Sequence, residues 1–374
     1  MNRRKFAFLV HPRASVRKDL GGVWRPLGYI PDPLYDWSLR RLPVPPITLG
    51  AVTLTDAPDT VAGWIILVPL SARQMLEQRR ERVVSKIVAA VDHAVELGAD
   101  IVGLGALTAP ITKGGQKLTH RSDIGVTNGN AFTAAITCTA IEQLIARCPT
   151  RDPQIAIVGA TGSVGSCVVK LLARRRTVSR LTLVARTVRR LDALATSIRA
   201  TTPGLDVQTT ADLLNLREAD LVVLLTSSAD AVLRSEHLKE GAIVLDDTQP
   251  RNTSPTLAVE RPDVLVVDGG LVSVPGLNLG VNLDLPPNCA YACLAETALL
   301  ALEGQRHHFS IGDPTVEQAE YLVELAEKHQ QFGFTLAPFH TFGRPIDAES
   351  AAPVYSLPSI PALGLTAREE GAMA

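Results

Sequence analysis

The chain has 374 residues, of which 46% are apolar, so it is long enough for two globular domains with a large core. Lys and Arg number 37, Asp and Glu number 38, the formal net charge is −1, and aromatic residues make up 4%. This composition argues against a basic nucleic-acid surface and against a base-stacking platform. We therefore expect no nucleic-acid partner.

The five cysteines are scattered and odd in number, which is typical of free thiols in a reducing compartment. No Cys-x-x-Cys pair indicates a metal site. The apolar run 6–10 is shorter than the roughly 7 to 15 residues of a secretory segment, and the run 61–70 is shorter than the roughly 20 residues that span a bilayer. We expect a cytoplasmic protein with neither a metal nor a transmembrane segment.

Residues 1–150 predict an N-terminal mixed α/β domain, which would hold the substrate. Apolar runs predict strands over 6–10, 47–54, 63–68 and 101–105. The apolar spacing over 72–97 predicts one long helix, which Gly98 ends. A second helix, 131–147, follows Asn130, whose short polar side chain suits an N-cap.

A linker at 148–153 leads into a regular alternation over 151–273. Strands are predicted over 155–158, 181–185, near 207, 221–225, 242–245 and 264–267, with helices over 163–175 and 188–201. Continuous Val, Ile and Leu runs between helices predict a parallel sheet buried on both faces. The predicted fold class is α/β, with a Rossmann-type doubly wound sheet domain, the N-terminal mixed α/β domain and C-terminal helices.

Beyond the Rossmann-type domain the sequence predicts a C-terminal helical segment, 274–338, and an irregular tail, 339–374. Helices are expected over 288–304 and 316–332. The tail is rich in proline and shows no periodic apolar pattern.

A glycine-rich turn lies between the first strand and the first helix of the second domain. Gly159 permits a tight turn, Gly162 lets the backbone approach a pyrophosphate, and Gly165 allows close helix packing. The helix N-terminus would present free N–H groups to the phosphates. The predicted cofactor contacts of this turn are Gly159, Thr161, Gly162, Ser163, Val164 and Gly165. The alternative is a glycine turn that binds no ligand.

The end of the second strand predicts which nucleotide binds. NAD-dependent enzymes usually place an acidic residue there, whereas this chain has Arg186 and Thr187. A guanidinium suits a 2′-phosphate, so NADPH is favoured over NADH, although Arg186 could also be an ordinary solvated side chain. Thr226 and Ser227 end a later strand and could contact the cofactor or the substrate, or could cap a helix.

Two cysteines lie near the predicted start of the 288–304 helix. Cys289 and Cys293 are four residues apart and would share one helix face. A helix N-terminus stabilises a thiolate, although a buried and inert cysteine is the more common case. Glu296 follows three residues after Cys293, where it could orient or tune the thiol or form a salt bridge.

Several segments between residues 6 and 338 carry a family resemblance. They are 103–108, 127–130, 158–166, 185–186, 268–270, 292–296 and 299–312. Through them the chain resembles the long-chain acyl-[acyl-carrier-protein] reductases best known from cyanobacteria, which make fatty aldehydes. The glycine turn is generic, but the motif Ala-Cys-x-Ala-Glu at 292–296 is specific.

The resemblance implies a thioester route through Cys293, with Cys289 left as a packing residue. The Cys293 thiolate would displace the carrier thiol, and hydride from NADPH would reduce the acyl-enzyme to a thiohemiacetal that releases aldehyde. The developing oxyanion needs donors, for which the backbone near 269–270 and the side chains of Ser227 and Asn130 are candidates. The implied partners are acyl-carrier protein or coenzyme A thioesters, and an aldehyde-consuming enzyme could dock.

Two segments depart from the family pattern. This chain has Gln-Arg-His-His at 305–308 where the family has Trp-His-Thr-Asn, and it has Asp-Asp-Thr-Gln-Pro-Arg-Asn at 246–252 where the family has Asp-Gly-Gly-Tyr-Pro-Lys-Asn. These changes leave the core chemistry in place, and they leave the acyl length and the thiol carrier open.

Two other functions fit the predicted layout. A shikimate-type NADP-dependent dehydrogenase would act directly on a small hydroxy or oxo substrate and would need a Lys/Asp pair, for which Lys113, Lys117 and Asp123 are available. A non-catalytic NADPH-binding module would leave the cysteine motif unexplained.

Overall fold

The computed structural model describes residues 4–12, 25–42, 44–226, 233–249 and 251–346, which contain two six-stranded sheets. The strands are β1 Phe6–Val10, β2 Ile47–Leu54, β3 Ala57–Leu67, β4 Ile101–Leu104, β5 Gly125–Thr127, β6 Ile155–Val158, β7 Arg180–Val184, β8 Asp206–Thr210, β9 Leu221–Leu224, β10 Ile243–Asp246, β11 Leu265–Asp268, β12 Leu271–Ser273, β13 Leu277–Asn278, β14 Cys289–Tyr291, β15 Thr335–Leu336, β16 His340–Thr341 and β17 Arg344–Pro345. The helices are α1 Asp32–Arg41, α2 Ala72–Glu77, α3 Arg80–Glu96, α4 Thr108–Ile111, α5 Asn130–Ile145, α6 Ser163–Arg175, α7 Val188–Thr201, α8 Pro255–Glu260, α9 Ala292–Leu302 and α10 Val316–Lys328. Short 3-10 turns occur at Arg25–Tyr29, Gln116–Leu118, Leu213–Glu218, Ser235–His237 and Gln330–Phe332.

The first sheet has the strand order β13-β2-β3-β1-β4-β5, and its strands β1, β4 and β5 are buried on both faces. Successive side chains of a strand point to opposite faces, and β1 shows the result. Phe6 and Phe8 lie in the apolar cluster that includes α5 and α9, whereas Ala7 and Leu9 lie in the cluster that includes α3. Strands β1, β3, β4 and β5 run parallel, and β2 pairs antiparallel with both of its neighbours, β3 and β13.

The single helix predicted over 72–97 is wrong, because the structure has two helices there. Ser71 and Gln74 form a capping box that starts α2, and Gln78 then adopts an extended conformation that ends it. Helix α3 restarts at Arg80, whose guanidinium donates to the carbonyl oxygen of Ile111 at 2.8 and 3.0 Å. This contact to a distant loop, which the local apolar pattern does not reveal, holds the start of α3.

The second sheet confirms the predicted Rossmann-type fold. Its order is β11-β10-β9-β6-β7-β8, and all neighbouring strands are parallel. This is the doubly wound order: β7 and β8 are added on one side of β6, and β9, β10 and β11 are added on the other, so the strand order reverses between β6 and β9. The pairing register aligns the strand ends Val158, Leu224, Asp246 and Asp268 along one edge. Ligands bind at the carboxyl edge of such sheets, next to this reversal point.

The segment 274–338 does not pack as a separate helical unit. Strand β13 joins the edge of the first sheet, and α9 packs on β1 and β4 of that sheet. The helix predicted over 288–304 begins later than expected, because residues 289–291 form β14, which pairs with β12. Helix α10 ends at Lys328 rather than at 332.

The tail predicted to be irregular over 339–374 contains a short hairpin, β16 and β17. The hairpin is held because Asp268 accepts hydrogen bonds from the N–H groups of Phe342 at 3.0 Å and Gly343 at 2.7 Å. Residues 347–374 lie outside the described residues.

One apolar cluster continues from the first sheet to the second. Helix α5 lies in it and packs against α6, α9 and α10, so it connects the two sheets. Every helix in the described ranges is too short or too polar to cross a bilayer.

Candidate active site

The residues that follow β5 in the first sheet and β6 in the second sheet meet, and the region between these two strand ends is here called the crevice. The Asn130 side-chain amide donates to Ser163 Oγ at 2.9 Å, and Ser163 Oγ donates to the Gly312 carbonyl at 3.1 Å. Asn130 was predicted to be the N-cap of its helix, but it is the first helical residue, and Gly129 occupies the cap position with φ +77°. Two predicted site residues, Asn130 at the start of α5 and Ser163 at the start of α6, are therefore in direct contact.

The glycine turn has the geometry that a dinucleotide requires. Gly159 has φ +89°, and a Cβ placed on it would lie 2.6 Å from the Leu225 carbonyl oxygen, so only glycine fits. Ser166 donates to the Gly162 carbonyl at 2.9 Å, and the N–H groups before it in the helix have no intrahelical acceptor. Thr161, Ser163 and Val164 are half-buried at the surface of the turn, whereas Gly165 is buried and packs on Gly159. This turn therefore fits a pyrophosphate.

The end of β7 supplies the basic groups that suit a 2′-phosphate. Arg186 and Thr187 are exposed, and Thr187 is the N-cap residue of α7. Arg190, which the sequence analysis did not select, reaches back to the glycine turn and donates to the Thr161 carbonyl at 2.7 Å. Arg190 follows Arg186 by only four residues, and this closeness to the end of β7 could have indicated it from the sequence.

Thr226 lies at the end of β9, and its hydroxyl donates to the Asn252 side chain at 2.9 Å. Asn252 is fully buried, and its backbone N–H donates to Asp246 at 3.0 Å. Thr226 is therefore held by the loop that follows β10. Ser227 lies outside the described residues, so its predicted role stays a prediction.

Cys293 is in the first turn of α9 and lies against the start of α5. A Cβ placed on Gly129 would overlap the Cys293 Cβ and lie 2.5 Å from the Cys293 Cα. Cys293 keeps part of its surface accessible, yet burial, together with the negative charge of Glu296, raises the pKa of its thiol to about 12. The thiol is therefore protonated at neutral pH unless a base removes its proton.

Cys289 is not on the helix of Cys293, so the predicted shared face is wrong. It lies in β14, opposite Ser273 of β12, and it is buried. Asn288, just before it, has φ +58°, a left-handed conformation that cannot belong to a helix. Burial raises the pKa of the Cys289 thiol as well.

Glu296 is fully buried and joins α9 to the start of α5. The Thr127 hydroxyl donates to Glu296 Oε1, and the Phe132 N–H donates to Oε2 at 2.9 Å. Burial raises the pKa of Glu296 to about 7, against the opposing effect of these donors. Among the described residues its partners are a hydroxyl and backbone N–H groups, so the salt bridge considered from the sequence is not what holds it.

A second acidic side chain, Asp247, lies near the crevice, in the 246–252 segment that departs from the family pattern. It follows β10 and is hydrogen-bonded to the Thr137 hydroxyl of α5. Burial raises the pKa of Asp247 to about 6, with a smaller contribution from Asp246. The charge of Asp247 also raises the pKa of Cys293, so these two side chains share one electrostatic environment.

The Lys/Asp pair that a shikimate-type dehydrogenase would need is not formed by Asp123. Its carboxylate is held by the Arg121 guanidinium through hydrogen bonds of 2.6 and 2.8 Å. In the ranges that the structure covers, no three His, Cys, Asp or Glu side chains group as metal ligands would.

Comparisons with known proteins agree with the nucleotide site. Residues 155–264 match the family model of the saccharopine dehydrogenase NADP binding domain. The chain is 30% identical over 323 residues to the Aminotransferase PigE of Serratia sp., which covers 84% of this chain but only 36% of that protein. It is 28% identical over 304 residues to the long-chain acyl-[acyl-carrier-protein] reductase of Synechococcus elongatus, covering 76% of this chain and 86% of that one.

Solved structures with similar segments include quinate dehydrogenase from Corynebacterium glutamicum in complex with NAD. Its identity is 12% and its TM-score is 0.37, with 86% of this chain and 100% of that chain covered. The match of residues 155–264 and the geometry of the glycine turn identify an NADP-binding domain of the oxidoreductase type, whose cofactor is NADPH.

Proposed function

We propose that the chain reduces an acyl thioester to an aldehyde with NADPH, through an acyl-enzyme on Cys293. The observation that carries this proposal is the position of Cys293, which is partly accessible at the crevice where the glycine turn and the start of α5 meet. The similarity to the Synechococcus elongatus reductase over 86% of its length supports the same reaction.

Acylation requires the Cys293 thiolate, and the crevice supplies a base for it. Glu296 lies on the same helix one turn later, and its pKa of about 7 leaves a carboxylate available near neutral pH. Transfer of the thiol proton to Glu296 also removes the negative charge that raises the thiol pKa. The first turn of α9 then stabilises the thiolate through its helix dipole.

The thiolate attacks the acyl carbonyl and displaces the carrier thiol, which is a good leaving group. NADPH, when bound, supplies the hydride that reduces the resulting thioester. The contact between Asn130 and Ser163 keeps the cofactor turn next to the start of α5, against which Cys293 lies. An acyl group carried by Cys293 would therefore lie near the domain that holds the cofactor.

The thiol carrier is acyl-carrier protein or coenzyme A, and both would give the same acyl-enzyme. Incubation with a long-chain acyl group on each carrier, without NADPH, followed by intact-mass measurement, tests the proposal. We expect a covalent acyl adduct that NADPH discharges as aldehyde. The faster acyl donor identifies the carrier.

Two variants make the test specific to Cys293. Cys293→Ser is expected to lose the adduct and still bind NADPH, whereas Cys289→Ser, four residues earlier in β14, is expected to keep the adduct. If the wild-type protein binds NADPH and forms no adduct on either carrier, the thioester route is wrong. Hydride transfer directly to a carbonyl substrate would then be the better explanation.

A further inference from the structure

The Thr137 hydroxyl connects Asp247 to the backbone of α5. Thr137 Oγ1 lies 2.7 Å from the Thr133 carbonyl oxygen and also within hydrogen-bonding distance of Asp247 Oδ2. A hydroxyl has one hydrogen, and a carbonyl oxygen can only accept. When Thr137 donates to Thr133, the contact with Asp247 therefore needs a proton on the carboxyl group, which then donates to the Thr137 oxygen.

The same contact also has an ionised form. When Asp247 is a carboxylate, the Thr137 hydrogen turns toward it, and the bond to the Thr133 carbonyl is given up. The hydroxyl thus accommodates both forms of Asp247 without movement of heavy atoms. Glu296 differs, because a hydroxyl and an N–H group already donate to its two oxygens.

Asp247 is also close to the nucleophile along the backbone. A Cβ placed on Gly270 would overlap Asp247 Oδ1, and the Gly270 carbonyl accepts a hydrogen bond of 2.9 Å from the N–H of Ala292. Ala292 immediately precedes Cys293. Both Asp247 and Cys293 keep part of their surface accessible, and the charge of Asp247 acts on the Cys293 thiol, so the two side chains belong to one neighbourhood.

The other acidic group beside Asp247 is already committed to structure. Asp246 is buried, and one of its oxygens accepts from the backbone N–H groups of Asn252 at 3.0 Å and Thr253 at 2.8 Å. Its charge adds to the burial that favours the protonated form of Asp247.

We propose that Asp247 is a further catalytic residue, the acid that protonates the substrate oxygen and the base that later removes this proton. This role rests on the proposed reduction of a Cys293 acyl-enzyme. It assigns Asp247 to the substrate oxygen and leaves Glu296 with the thiol proton. The role is particular to this chain, because the resembling family has glycine where this chain has Asp247.

The proposed step balances in atoms and electrons. The thioester carbon accepts the hydride, the carbonyl π electrons move to oxygen, and that oxygen takes the Asp247 proton to give a neutral thiohemiacetal on Cys293. In the collapse, the Asp247 carboxylate takes the hydroxyl proton, the carbonyl reforms, and the carbon–sulfur bond breaks with its electrons on sulfur. Aldehyde leaves, Asp247 is again protonated, and the Cys293 thiolate attacks the next thioester or takes a solvent proton.

Single-turnover measurement of the Asp247→Asn variant tests this role separately from acylation. The acyl-enzyme is first formed without NADPH and its mass is recorded, and aldehyde release is then timed after NADPH is added. We expect a normal adduct and release slowed by about 10²-fold or more, the range for loss of a general acid. Loss of the adduct from the wild-type protein would instead contradict the thioester route itself.

The pH dependence provides a readout that a structural role would not affect. In a plot of aldehyde-release rate against pH, the wild-type rate is expected to fall as the pH rises above the Asp247 pKa of about 6. This falling limb of the plot is expected to be absent for Asp247→Asn. Thr137→Val keeps the carboxyl group but removes a donor to its charged form, so the limb should move to higher pH.

Two outcomes would overturn the assignment. The first is release at the wild-type rate by Asp247→Asn. The second is an unmoved pH limb in Thr137→Val, which decides the question even if Asp247→Asn fails to fold or to bind NADPH.

Discussion

Burial of Glu296 makes a sharp prediction about stability and pH. The pKa of this carboxyl rises from an ordinary value of 4.5 to about 7 in the folded protein. The folded state therefore holds the proton more tightly than the unfolded chain does. The stability that the protonated carboxyl contributes is full below about pH 4.5 and is lost as the pH rises through about 7.

The magnitude follows from the size of the shift. At about 1.4 kcal/mol for each pKa unit, the rise from 4.5 to about 7 corresponds to about 3 kcal/mol. Glu296→Gln removes the titration and keeps one oxygen to accept the Phe132 N–H. Between about pH 4.5 and about pH 8, the free energy of unfolding of the wild-type protein should fall by about 3 kcal/mol more than that of the variant.

Unfolding by guanidinium at a series of pH values, without NADPH, measures this difference between the wild-type protein and Glu296→Gln. Groups that titrate in both proteins contribute equally to both curves, so their effects cancel in the difference. The control is Glu303→Gln, at the C-cap of the same helix, α9. Hydrogen bonds from Lys328 and His329 lower the Glu303 pKa, so its contribution has the opposite sign and is lost as the pH falls. Parallel stability curves for the wild-type protein and Glu296→Gln would refute a raised Glu296 pKa.

Two further substitutions test the crevice. Gly129→Ala places a Cβ against Cys293 at φ +77°, so it is expected to cost about 3 kcal/mol of unfolding free energy and to prevent acylation. The control is Gly98→Ala, at φ +85° with no atom within 4 Å, which should cost only about 1 kcal/mol. Equal costs for the two variants would contradict the contact between Gly129 and Cys293. Arg186→Ala and Arg190→Ala are each expected to raise the Kd for NADPH by about tenfold and that for NADH much less, with Arg189→Ala as the exposed control. Equal losses for both nucleotides in fluorescence titrations would place the 2′-phosphate elsewhere.

The sequence by itself determined the Rossmann-type domain and its cofactor turn. Both depend on short-range patterns, namely apolar runs of strand length between amphipathic helices and glycines at defined spacing within 159–165. The right-handed preference of such connections limits the possible topologies, whereas the strand order itself is known from the structure. The thiol at Cys293 was likewise indicated by its motif.

Element boundaries were less accessible to the sequence. Residues 289–291 form a strand because they pair with β12, and α3 is held at its start by a carbonyl more than one element away. Pairings of this kind are set by tertiary contacts rather than by local propensity. The local sequence is therefore compatible with a helix that begins at 288, and only the pairing with β12 makes residues 289–291 a strand.

The composition of the crevice was decided only by the tertiary structure. Glu296 meets Thr127 across 169 positions of sequence, and Asp247 meets Thr137 across 110. The apolar residues before Asp247 and around Glu296 already indicate a buried setting, which raises their pKa values, but the sequence does not show which groups meet the two carboxyls there. The sequence indicates the thiol and the nucleotide turn because local patterns encode them. The acidic groups that surround the thiol, and their protonation, depend on which distant residues the fold brings together.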